Sequence, residues 1–148
     1  MKRLTVGIAM LALLASTGCT KNSTSSTMSS LTSLASNPLI SSLTSTLGLN
    51  ATQAVGAAGS LLGLAQKNLT GTDWSKIASA IPGANSLISE AKTMGGISSF
   101  TNLAGLSGAF SKMGVTNDQV KSVSSSMTDF VSKAASPEVG AMLAGAIK

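Results

Sequence analysis

The chain of 148 residues contains no histidine, so it lacks the commonest general base and the commonest transition-metal ligand. Its acids are Asp73, Glu90, Asp118, Asp129 and Glu138. Asp73, Asp118 and Glu138 each fall in the first turn of a predicted helix, where the helix dipole favours an anion. Asp129 stands four residues before Lys133, the spacing of a weak, exposed ion pair. No spacing sets two carboxylates up as an acid–base pair. Serines are plentiful, but none has the strand–turn–helix setting of a nucleophile elbow. These residues predict no enzyme, no bound metal and no cofactor.

The one thiol belongs to Cys19, and the residues before it say what it is for. Met1-Lys2-Arg3 gives a basic start, and Leu4 to Ala15 an apolar run of about a dozen residues, the length of a signal-peptide core. That is too short to span roughly 30 Å of hydrocarbon. Ser16-Thr17-Gly18-Cys19 then resembles a bacterial lipobox, with Ser16 where leucine is commonest. The resemblance implies cleavage before Cys19 and a lipid on its sulfur, which removes it as a nucleophile. Residues 1–18 are thus expected to be a lipoprotein signal peptide. Residues 19–30, Ser/Thr-rich and poor in apolar groups, are expected to be a flexible tether. Thr20 is not the aspartate that retains lipoproteins at the inner membrane. In a diderm host this predicts a lipid-anchored, periplasm-facing protein of the outer membrane.

Composition narrows the partners. The formal charge of +5 falls to +3 once Lys2 and Arg3 are lost. The eight remaining lysines are spread along the chain, with no other arginine and no tyrosine. A nucleic-acid binder needs a basic stripe with interleaved aromatics, so nucleic acid is not an expected partner. Charged residues make up 10% and hydrophobic ones 43%, which excludes charge-driven disorder for most of the chain. A lone cysteine forms no internal disulfide, so helix packing must hold residues 31–148 together.

The apolar spacing throughout that stretch is helical. Leu31 and Leu34 begin a weak face. Asn37-Pro38 gives a cap and a first-turn proline, followed by Leu39, Ile40, Leu43 and Leu47, with Gly48 as a left-handed stop. Asn50, with Gln53 three residues on, forms a capping box for a helix running to about Lys67. Gly56, Gly59 and Gly63 within it would let another helix approach closely. Thr72 is expected to cap a helix carrying Trp74, Ile77, Ala78 and Ile81, stopped by Pro82-Gly83. Leu87, Ile88, Ala91 and Met94 form the next stripe, ended by Gly95-Gly96. Ile97, Phe100, Leu103, Leu106, Phe110 and Met113 predict a longer helix, closed by Gly114. Thr116 with Gln119 repeats the capping box ahead of Val120, Val123, Met127, Phe130 and Val131. Ser136-Pro137-Glu138 opens the last helix, which carries Met142, Leu143 and Ile147.

Shifting the sequence by 66 residues lays much of this on itself. Leu47-Gly48-Leu49-Asn50-Ala51-Thr52-Gln53 falls over Met113-Gly114-Val115-Thr116-Asn117-Asp118-Gln119, and Ala78-Ser79-Ala80-Ile81 over Ala144-Gly145-Ala146-Ile147. Helix end, glycine stop, cap and box glutamine recur in register. The fold class is therefore all-α: a compact bundle of about six short helices, arranged as two repeats of a three-helix unit, residues 31–82 and 97–148. Residues 82–96 form the join. Trp74, the lone tryptophan, falls over Gly140. On its stripe it fits a core position, and it is also the one candidate for the floor of a binding site.

Leu43 to Leu64, with Leu47-Gly48-Leu49, Gln53-Ala54 and Gly59-Ser60-Leu61-Leu62-Gly63-Leu64-Ala65, resembles the VcgC/VcgE domain-of-unknown-function family of bacterial envelope proteins. Ile81-Pro82-Gly83-Ala84-Asn85-Ser86-Leu87 and Phe110-Ser111-Lys112-Met113-Gly114 fit the same family. The resemblance extends over residues 31–148 and implies a helical domain with no assigned activity or site residues. Three functions remain open. The first is a non-enzymatic structural or interaction module, held on the membrane by Cys19 and binding an envelope protein. The second is a binder of an apolar small molecule or lipid between the repeats. The third is a membrane-active helical protein. The first is the expectation.

Overall fold

A computed structural model describes residues 31–94 and 103–148. The expected signal peptide, Cys19, the tether, Gly95-Gly96, Ile97 and Phe100 lie outside the described residues. Every regular element among those described is helical. After a short helical segment at residues 31–35 come α1 (Pro38–Leu47), α2 (Ala51–Asn68), α3 (Gly71–Ala80) and α4 (Ala84–Thr93). These are followed by α5 (Leu103–Lys112), α6 (Asn117–Ala134) and α7 (Pro137–Ala146).

The repeat appears in the backbone with its punctuation. Helices α2 and α6 have 18 residues each and α3 and α7 have 10, every boundary being displaced by the same 66 positions. Gly48 and Gly114 both take the left-handed conformation, φ 63° and 74°, which a side chain would strain. Both capping boxes form. The Gln53 N–H donates to Asn50 Oδ1 at 2.8 Å, and the Asn50 N–H donates back to Gln53 Oε1 at 3.1 Å. The Gln119 N–H donates to Thr116 Oγ1 at 3.3 Å, and the Thr116 N–H donates back at 2.9 Å. Asn37 and Ser136 cap the two helices that open on proline.

One cap differs from expectation. Thr70, not Thr72, starts α3: its hydroxyl accepts from the Asp73 N–H at 3.4 Å and donates to Asp73 Oδ2 at 2.8 Å. The carboxylate three residues after Thr70 completes a reciprocal pair that Thr72 could not form, and Thr72 lies exposed inside the helix. Thr70 is also the repeat counterpart of Ser136, so the correction tightens the symmetry.

The core is organised around α2, whose residues Ala54 through Ala65 are all buried. A helix surrounded on every side is a central one, and α2 touches α1, α3, α4, α5, α6 and α7. Its closest neighbour is α4, the helix in the join, which lays Ala84, Leu87, Ile88 and Ala91 against it. The approach is set at Gly59. A Cβ there would overlap the Leu87 carbonyl oxygen and lie 2.7 Å from Ala91 Cβ. The interior glycine is therefore a packing device, as the small-residue stripe predicts. Two polar side chains at the ends of α2 tie it to the second repeat. Gln53 Nε2 donates to the carbonyls of Met113 and Gly114 at 3.0 and 3.2 Å. Asn68 Nδ2 donates to the Ala146 carbonyl at 2.7 Å. Each satisfies carbonyls that a helix end leaves open.

Candidate functional site

The acids take up separate posts. Asp73, Asp118 and Glu138 occupy the first turns of α3, α6 and α7, as expected. Asp73 pairs with Lys76 at 3.5 Å and Asp118 with Lys121 at 4.0 Å, both at the surface. The expected Asp129–Lys133 pair is not among the ion pairs of the described residues. Both side chains are exposed, where water screens them and holding two long side chains together gains little. No group of three or more metal-ligating acids or thiols occurs among the described residues.

Trp74 is half-buried and packs against the core. Its counterpart explains its size. At Gly140, a Cβ would press on the Ser132 side chain and lie 3.0 Å from the Thr128 carbonyl oxygen, so α7 lies tightly along α6. Helix α3, with tryptophan at that position, touches α2 only lightly. Trp74 thus stands on the more loosely packed of the two matched helices, and none of the clefts described next includes it.

Three surface clefts stand out. One, of about 400 Å³, runs between α6 and α7, with Leu103, Ala144 and Ile147 as its apolar part and Lys121, Asp129 and Lys148 among its polar residues. A second, of about 500 Å³, continues it between α5 and α6, sharing Leu103, Lys121 and Lys148. Together they form a groove over the second repeat. Its α6 wall holds Ser125 and Asp129, which occupy the places of Gly59 and Gly63. The third cleft, of about 520 Å³, lies between α4 and the segment at residues 31–35, and Glu90 lines it. The sequence reading gave Glu90 no part. The signal for it is its spacing, three residues after Leu87 and four before Met94, which draws it toward the buried face of α4.

A family model for proteins of unknown function VcgC/VcgE (DUF2780) matches residues 9–147. The chain belongs to this family. The match begins inside the N-terminal apolar run and reaches α7, wider than the stretch from residue 31 that carried the resemblance. No curated protein and no solved structure matches the chain. In this VcgC/VcgE protein no described helix is long and apolar enough to cross a membrane.

Proposed function

We propose that this VcgC/VcgE-family protein is a non-enzymatic envelope module, anchored by a lipid on Cys19 and acting by binding a protein partner. The observation that carries the reading is the groove over α5, α6 and α7. It combines apolar contact area at Leu103 and Ala144 with charges of both signs, Lys121, Lys148 and Asp129. Apolar centres with polar rims are the anatomy of protein interfaces. Asp73, Asp118 and Glu138, each in the first turn of its own helix and apart from the others, support a binding role over catalysis. Among the described residues, these three clefts lie within one repeat or beside the join. The lipobox-like residues before Cys19 support the anchor, and Thr20 supports outer-membrane residence in a diderm host.

The test uses the full-length lipoprotein in its own envelope. A photo-crosslinking residue at Ser125, in the groove, should give one discrete protein adduct, and the same residue at Ser79, on exposed α3, should not. Adding Leu103→Glu, at a half-buried position of the groove, to the Ser125 probe should abolish the adduct. The same smear from both positions would overturn the groove as an interface. Separately, a fatty-acid probe should label the wild type and not Cys19→Ala, with the label sedimenting with outer membranes in a density gradient. Equal labelling of the variant, or sedimentation with inner membranes, would overturn the anchor or its address.

A further inference from the structure

The cleft beside α4 contains a feature that packing does not explain. Glu90 is only 9% exposed, and its Oε1 has no hydrogen-bond partner among the described residues. Burying a carboxylate oxygen without a partner is costly, and such groups are usually paired or bound to a ligand. The other lining residues are Ser33, Leu34, Asn85, Ser86 and Ser89: three hydroxyls, one amide and one apolar side chain, with no lysine among them. We propose that this cleft binds a primary ammonium group, with Glu90 as its counter-charge.

Charge and donor count favour that ligand over the alternatives. An anion would meet a carboxylate and no cationic side chain. A divalent metal would find a single carboxylate, whereas hard cations are held by several anionic or carbonyl oxygens. An alkylammonium carries one positive charge and three N–H donors. Glu90 can take one, and the hydroxyls of Ser86 and Ser89 or the Asn85 carbonyl oxygen can take the others. Leu34 offers contact for the attached carbon chain. The volume of about 520 Å³ lies within the range of small-molecule sites. Since the chain stays net positive, at +3, after loss of Lys2 and Arg3, its overall charge would repel a cation, and binding must come from this local arrangement. The ammonium could be that of a free amine or of an ethanolamine phospholipid, since both present the same group.

Full-length, isotope-labelled protein in detergent micelles, titrated with ethanolammonium chloride at constant ionic strength, provides the test. Saturable amide shifts should centre on residues 85–91, and sodium chloride or tetramethylammonium, which has no N–H, should leave those amides in place. Glu90→Gln keeps the shape and should weaken binding about tenfold or more, because a charge-assisted bond is lost. Ser89→Ala, at an exposed position, should weaken it severalfold and serves if the Glu90 variant does not fold. Absence of saturation through the millimolar range, an equal response to sodium or tetramethylammonium, or undiminished binding by Glu90→Gln would each overturn the site. Nanodiscs then identify the source. A further shift with ethanolamine lipid but not choline lipid assigns a headgroup, and a response to the free amine alone assigns a soluble ligand.

Discussion

Helices α2 and α6 start on the same capping box, run for the same length and occupy the same place in their repeats, yet they live in different surroundings. Helix α2 is buried on every side from Ala54 to Ala65, whereas α6 buries Val120, Val123, Met127 and Val131 along one stripe. The residues that part them lie on one face. Where α2 has Gly56, Gly59 and Gly63, α6 has Ser122, Ser125 and Asp129. Helix α4 covers Gly59, the Met113 and Met94 side chains close over Gly56, and Ser125 and Asp129 are exposed. Punctuation therefore decides where a helix starts and stops. The size and polarity of its outer face decide whether it becomes the centre of the bundle or its rim.

The sharpest way to break this comparison is to give α2 the side chain it lacks. Gly59→Ala would push a Cβ into the Leu87 carbonyl, a backbone atom that cannot step aside. The loss should be about 3 kcal/mol, at the upper end for overpacking. At the matched position Ser125→Ala should stay within about 0.5 kcal/mol, as for most surface changes. Urea unfolding of both variants measures the gap, and near-equal values would mean that α4 does not define the centre.

A smaller contrast is expected at the paired glutamines. Gln53 serves its own cap and also donates to Met113 and Gly114 in the other repeat, whereas Gln119 serves only its cap among the bonds described. Gln53→Ala should therefore cost about 2 kcal/mol against about 1 for Gln119→Ala, at roughly 1 kcal/mol or less per bond. Equal losses in thermal melts would show that the bridge across the repeats contributes nothing. The smallest difference belongs to the caps themselves. Asn50→Ala and Thr116→Ala should each cost about 0.5–2 kcal/mol, and by similar amounts. A silent substitution at either site would remove the chemical basis of the symmetry.

How much of this was legible follows from the range of each interaction. Caps, boxes and glycine stops act within four residues, so Asn50, Gln53, Gly48, Thr116, Gln119 and Gly114 announce themselves in the sequence. The cap at Thr70 is harder to place than the others, because Thr70 and Thr72 compete for one helix start and only the partnership with Asp73 separates them. The stripe of glycines showed that some helix comes close to α2, but not that the join supplies it. That knowledge requires the path of the chain across the bundle. The spacing of Glu90 marks the buried face of α4, but the cleft that it lines with Ser33 and Leu34 was illegible for the same reason. The mismatch of Trp74 with Gly140 was visible on superposing the repeats, but the tight contact of α7 with α6 at Gly140 was not.

The bonds from the ends of α2 span 60 and 78 residues of chain. Contacts so distant in sequence form late and slow the search for the native state. A ribosome delivers α2 well before α7, and chains are made N-terminus first, so the middle of the bundle must wait uncovered for its last wall. Its makeup suits that wait, because glycine, alanine and serine present less greasy surface than leucine would. The two halves are thus not independent folding units despite their shared pattern. Unfolding should be a single cooperative event.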